Sequence, residues 1–170
     1  DDAVSDPDGD GLSNLQEFLD GTDPNSFDGP EEPIAVSPLS GDEVDSATPF
    51  LVWENAFDPQ LDELTYHIQV WADEAMTQSL VDEDLLAEND WYESSWKVEV
   101  PLAENSTVWW RVRAFDGLAY GAFSALQGFF VNTAGEAPDA PVPVSPLDGD
   151  IVASPEPQVV WVLSVDPDLD

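Results

Sequence analysis

The sequence predicts a mainly β chain of sandwich domains strung in tandem, and three observations carry that prediction. Pro33–Asp62 recurs at Pro141–Asp170 with 16 identities in 30 ungapped positions. The offset of 108 residues is domain-sized and too long for a solenoid repeat. From Pro33 onward, short runs of β-branched and aromatic residues are broken by Pro, Gly, Asn and Asp, the punctuation of an all-β domain. Seven Trp and 42% hydrophobic residues among 170 supply ample material for a core. The repeat therefore divides the chain into a head (1–32), one sandwich-sized unit (33–134), and a linker with the first strands of a second, incomplete unit (135–170).

Charge narrows the range of partners. Thirty-seven Asp and Glu stand against Lys97, Arg111 and Arg113, a net charge of −34, which strains a compact state by self-repulsion. Cations are expected to matter, either at sites or as salty surroundings. Phosphate backbones and anionic lipid would repel such a surface, so nucleic-acid and membrane-surface binding are not expected. There is no cysteine, which excludes disulfides and thiolate metal sites. No apolar run approaches the roughly 20 residues of a membrane span. The chain opens on Asp1 and Asp2 without a signal peptide and is expected to be a processed or excerpted piece of a longer protein.

In the head, Asp6, Asp8, Asp10, Gly11, Asn14 and Glu17 fit positions 1, 3, 5, 6, 9 and 12 of the calcium-loop pattern D-x-[DN]-x-[DN]-G-x5-E. Alternate side chains of a tight loop point oxygens inward and Gly permits the sharp turn. The Leu12 carbonyl adds a backbone ligand, and Glu17 closes the shell from the first turn of a helix. Leu15, Phe18 and Leu19 follow at i, i+3 and i+4, and Gly21 ends that helix. Asp6-Pro-Asp-Gly-Asp-Gly-Leu-Ser-Asn-Leu-Gln-Glu17 and Phe18-Leu-Asp-Gly-Thr-Asp-Pro24 resemble the thrombospondin type 3 repeats of bacterial secreted and cell-surface proteins. That resemblance covers roughly residues 6–25 and implies calcium (Ca2+) held by the Asp and Glu positions named. Ser13 stands where paired hands place an apolar residue, and no second DxDGDG loop follows Pro24, so a single unpaired site is expected. Such a site suits a structural brace better than a sensor.

Within 33–134, strands are predicted near 34–37, 50–54, 64–71, 77–82, 95–100, 107–115 and 122–131. Alternation turns Tyr66, Ile68, Val70, Val108, Trp110, Val112 and Ala114 inward, joined by Trp53, Trp96, Val98, Val100, Leu102 and Phe130. Ser37-Pro-Leu-x-Gly41, Trp53, Leu64-Thr-Tyr66, Leu102-Ala-Glu-Asn105, Trp110-Arg-Val-Arg-Ala-Phe-Asp-Gly117, Phe123-Ser124 and Phe129-Phe-Val131 resemble bacterial fibronectin type III modules. The resemblance implies an immunoglobulin-like sandwich serving as spacer, adhesive unit or accessory domain. Val108 stands where that family tends to place a corner-tying Tyr, so something other than a hydroxyl at that position must hold the corner.

Three groups of residues invite a chemical reading. On the outward face of the 64–71 and 107–115 strands, His67, Gln69 and Trp71 lie beside Trp109, Arg111 and Arg113. Trp71, Trp109, Arg111 and Arg113 could form a ligand platform, with rings stacking on sugars and Arg gripping anions; the plainer reading is a cation–π and salt-bridge ladder covering the sheet. His67, the one His, is expected at the surface. Asp58 and Asp62, with Asp116, form a candidate second cation site or else simply make turns. No Gly-x-Ser-x-Gly or phosphate-cradling loop occurs, so catalysis is not expected.

The 133–143 segment is a Pro-stiffened linker. The two strands that follow cannot bury a core alone, so further domains of the same chain or neighbouring copies are expected to complete them. The sequence thus points to a calcium-stabilised structural or adhesive protein: a stalk, adhesin segment or fibre subunit. The alternative is a non-catalytic accessory region of a secreted hydrolase, with surface polysaccharide as its partner.

Overall fold

The computed structural model describes the chain except residues 1, 10, 26–28, 60, 167, 169 and 170. It contains two compact units, Asp1–Thr133 and Ala134–Asp170. In the first unit a short helix, α1 (Asn14–Asp20), precedes eight strands: β1 (Ile34–Ser37), β2 (Glu43–Val44), β3 (Phe50–Glu54), β4 (Thr65–Trp71), β5 (Ser79–Ala87), β6 (Glu93–Lys97), β7 (Ser106–Phe115) and β8 (Gln127–Val131). They form a three-stranded sheet, β1-β3-β6, and a five-stranded sheet, β2-β8-β7-β4-β5. All pairings are antiparallel except β2 with β8. This is an immunoglobulin-like sandwich, a three-stranded sheet with a five-stranded one.

Alternation along β4 and β7 sets the core. Tyr66, Ile68 and Val70 on one strand, and Val108, Trp110, Val112 and Ala114 on the other, are buried against Leu51, Trp53, Val98 and Phe129. Trp96 is half-buried at the margin of this cluster. The Trp110 indole donates to the Pro38 carbonyl at 2.8 Å, so a large core residue leaves no buried donor unpaired.

Four expectations about the strands need correction. Phe129, not Phe130, faces inward, because Phe129 lies directly across from the buried Val108 and cross-strand partners share a face. Val100 is exposed, since β6 ends at Lys97 and the chain there has left the sheet. β8 begins at Gln127 rather than near 122. Residues 120–124 still run beside β7, through a Phe115–Tyr120 bridge and bonds from Gly121 N–H to Ala114 and from Ser124 N–H to Val112. However, the Ser124 hydroxyl rather than a backbone carbonyl accepts the Val112 N–H, which interrupts the regular ladder. β5 runs on to Ala87, where a left-handed Leu85 accompanies an irregular register in an acidic edge strand. The corner near Val108 is held by Leu102 N–H to the Ala47 carbonyl (2.8 Å), Asn105 N–H to Val131 (2.9 Å) and the Ser106 hydroxyl to Ala103 (2.6 Å).

In the second unit β9 (Val142–Ser145) pairs with β10 (Val160–Val162). Its register, Val142 to Val162, Pro143 to Trp161 and Ser145 to Val160, reproduces that of β1 with β3, irregularity included. The preceding turns match as well: Asp42 accepts from Leu39 N–H, and Asp150 from Leu147 N–H, each at 2.7 Å.

Candidate functional site

The head loop is shaped by its own carboxylate. Asp6 Oδ1 accepts the Gly9 N–H (2.8 Å) and Oδ2 the Gly11 N–H (3.2 Å), with both glycines in the left-handed region at φ 79° and 100°. Ser13 caps α1, accepting from Gln16 N–H. Gly21, at φ 86°, closes the far end by donating to the Glu17 carbonyl at 2.7 Å.

The helix is inside out relative to an ordinary amphipathic helix. Phe18 is 80% exposed and Leu15 and Leu19 are also open to solvent, while Glu17 is 0% exposed. Both Glu17 carboxylate oxygens, Asp8 Oδ2 and Asn14 Oδ1 are withdrawn from solvent. Positions 3, 9 and 12 of the loop pattern thus each contribute shielded side-chain oxygen, a donor set suited to a hard cation. Asp10, at position 5, lies outside the described residues. Among the described residues no group of three or more Asp, Glu or His stands close enough to hold a metal ion.

The head meets the sandwich through a tight passage. Pro30 is buried, and a Cβ on Gly121 would lie 2.2 Å from the Pro30 carbonyl oxygen, so only glycine fits there. Glu31 N–H then donates to the Phe57 carbonyl at 2.8 Å.

The outward face of β4 and β7 is brought together as its register requires: His67 opposite Arg113, Gln69 opposite Arg111, and Trp71 opposite Trp109. Arg111 donates twice to Gln69 Oε1, at 3.0 and 2.8 Å, and its guanidinium lies 4.0 Å from the centre of the Phe123 ring. Arg113 donates to His67 Nδ1 (3.1 Å) and lies 3.8 Å from the Tyr120 ring centre and 4.5 Å from that of Phe123. His67 Nε2 in turn meets Asp82. His67 is therefore buried rather than on the surface, because the 120–124 segment lays Tyr120 and Phe123 over it. The Tyr120 hydroxyl also donates to Asp84 at 2.6 Å. Burial opposes ionisation of Asp84, yet that bond holds its carboxyl below the usual range; the same bond pushes the Tyr120 hydroxyl up. Both guanidinium groups are thus half-buried and engaged by side chains of the protein itself. Trp109 lies flat across β8, where a Cβ on Gly128 would come within 2.7 Å of its indole nitrogen.

The aspartates of the candidate second cation site make turns. Asp58 is buried and its Oδ1 accepts the Asp62 N–H at 2.9 Å, while Asp116 Oδ1 accepts from Leu118 and Ala119, both at 2.7 Å. The structure does not gather Asp58, Asp62 and Asp116 into a metal-holding group. Sequence reasoning missed the role of Tyr66. Its buried hydroxyl donates to Glu88 (2.8 Å) and accepts the Ala56 N–H (3.0 Å), and burial, reinforced by Glu88, holds it well above the usual tyrosine range.

No protein-family model matches the chain, and no curated protein matches it. Among solved structures, it is similar to the chicken CNTN1 FN1–FN3 domains (12% identity, TM-score 0.38) over 67% of this chain and 39% of that one. The chain thus spans well under half the length of that structure. It is also similar to the sixth fibronectin type III domain of human fibronectin type III domain containing protein 3 (16%, TM-score 0.40), over 64% of this chain and 92% of that one. A third likeness is an Fn3-like protein from Clostridium thermocellum (10%, TM-score 0.34), over 64% and 96% respectively. The strand order of the first unit, rather than these partial likenesses, defines its fold. No helix among the described residues is long and apolar enough to cross a membrane.

Proposed function

We propose that this chain is an extracellular, calcium-stabilised structural segment, of the kind that builds a stalk, an adhesin or a fibre. The burial of Glu17 carries the reading: a seven-residue helix exposes its phenylalanine and leucines and withdraws its carboxylate. Asp6, Asp8, Asn14, Glu17 and the Leu12 carbonyl would hold the cation, with Asp10 completing the pattern. Bound calcium would neutralise part of the local acid and fix the loop. The Pro30–Gly121 passage would transmit that order to the sandwich, making the site a brace. The half-buried arginines of the β4–β7 face, engaged by Gln69, His67, Tyr120 and Phe123, do not favour the carbohydrate platform, which needs its groups open.

The test is a thermal melt of the whole chain in calcium and in chelator at matched ionic strength, with light scattering in parallel. At a calcium concentration about one hundred times Kd, binding adds about 2.7 kcal/mol. For a chain of this size that corresponds to a rise in midpoint of roughly 5–10 °C. Glu17→Gln and Asp8→Asn should abolish the rise. A midpoint indifferent to calcium would remove the brace, and a monodisperse monomer throughout would remove the fibre subunit while leaving a stalk.

A further inference from the structure

We infer a second, separate cation site in the 134–170 unit, centred on Asp168. Asp168 is 2% exposed. Its Oδ2 accepts the Glu136 N–H at 2.5 Å, whereas its Oδ1 is shielded from solvent and meets no hydrogen-bond donor among the described residues. A buried carboxylate oxygen without a donor is costly unless a cation or a further polar group satisfies it.

The unit itself offers no positive group. Residues 134–170 contain no Lys, Arg or His. What surrounds Asp168 is more acid. Asp166 Oδ1 accepts the Asp168 N–H at 3.1 Å, and the linker that Asp168 grips carries Glu136 and Asp139, the latter bonded through its N–H to the Val165 carbonyl at 3.0 Å. The unit therefore supplies no counter-charge of its own.

Three carboxylates do not converge among the described residues, so the ligand set is a mixed one: Asp168 Oδ1 with backbone carbonyl and water oxygens, and Asp166 as the carboxylate tied to the same turn. An all-oxygen set with few charges selects a hard, flexible cation of the calcium type over a transition metal. Few charged ligands also mean weak binding, about 10⁻⁴–10⁻³ M as in extracellular modules.

The fold repeats this join, which locates the site more sharply. Glu31 N–H to the Phe57 carbonyl in the first unit corresponds to Asp139 N–H to Val165 in the second. Asp58 and Asp166 correspond likewise, but the residue matching Asp168 is Gln60. The second copy alone carries the extra carboxylate, so the cation belongs to that copy. It would pin the 134–139 linker to the turn after β10.

The test uses the whole chain carrying Glu17→Gln, which disables the head loop and keeps the two sites distinguishable. Calcium chloride is titrated to about 10 mM, some tenfold above the expected Kd, at constant ionic strength, while amide shifts are followed by two-dimensional NMR. The Glu136 and Asp139 amides should move along one saturating curve, and adding Asp168→Asn, which keeps an acceptor for Glu136, should abolish the movement. Unmoved amides in the Glu17→Gln chain, a non-saturating drift equal to that in sodium, or the same curve with Asp168→Asn would each overturn the site. The Glu17→Gln titration decides by itself if Asp168→Asn disturbs the β9–β10 amides. Saturation here with a head loop indifferent to calcium would separate this site from the brace.

Discussion

The β1–β3 and β9–β10 pairs are one sequence folded twice, with the same strand register and turn hydrogen bonds. Their surroundings differ. Leu51 and Trp53 are 0% and 1% exposed, whereas their counterparts Val159 and Trp161 are 59% and 54% exposed. Pairing is thus encoded within the thirty residues of the repeat, while burial is supplied by β4, β7 and β8. Register needs only neighbours in the strand pair and the turn between them; a core needs a second layer.

Substitution of the two tryptophans should break the equivalence most. Trp53→Ala removes a fully buried ring and should cost about 3–5 kcal/mol, read from urea unfolding of the first unit. Trp161→Ala should leave that transition within about 0.5 kcal/mol. Equal losses would mean that the second copy is covered in solution.

Tyr66 gives the next largest effect, because it supplies the first copy with a hydroxyl for the Ala56 N–H. Tyr66→Phe should cost about 1–3 kcal/mol by stranding that donor. The folded protein holds the Tyr66 hydroxyl above its ordinary range, so its contribution is complete below about pH 10. Ionisation of the unfolded chain then erodes it as pH rises towards the raised folded value. The wild type should lose stability through this alkaline window, and Tyr66→Phe should flatten the slope. An unchanged slope would assign the alkaline loss to Tyr120 and Tyr92, whose hydroxyls are also raised.

The smallest effect is at the matched turns. Asp42→Ala should cost about 1 kcal/mol by losing the acceptor for Leu39 N–H, and Asp150→Ala, which loses the same bond to Leu147, should not move the unfolding of the first unit. Local amide exchange at Leu147 should nevertheless quicken. A global effect from Asp150→Ala would show that the two units unfold together.

The sandwich was legible in the sequence because period-two alternation in β4 and β7 is strong and aromatic. It failed where alternation alone cannot choose a phase: Phe129 and Phe130 are both apolar, and only the pairing with Val108 selects between them. The acidic run Asp82-Glu-Asp84 concealed the length of β5, since an edge strand facing water has no need of an apolar face. His67 misled for a different reason. Its strand position was read correctly, but its cover comes from Tyr120 and Phe123, on a segment that bonds to β7 without being a regular strand. In the head, the spacing marked Glu17 as a ligand position and Leu15, Phe18 and Leu19 as a helix, but a seven-residue helix does not by itself say which face it buries; the structure buries Glu17 and leaves the apolar side chains in solvent.

The paired but uncovered β9–β10 strands also bear on synthesis. In β1–β3, partners are separated by at most twenty residues, so the pair can close while the later strands are still inside the ribosome. Until β7 and β8 emerge, Leu51 and Trp53 would stand as bare as Val159 and Trp161 do, a state prone to sticking to other nascent chains. By residue 105 the chain already carries 28 Asp and Glu against Lys97 alone, so it repels its neighbours during that interval. The acidity that strains the finished domain thereby serves as its own chaperone during manufacture.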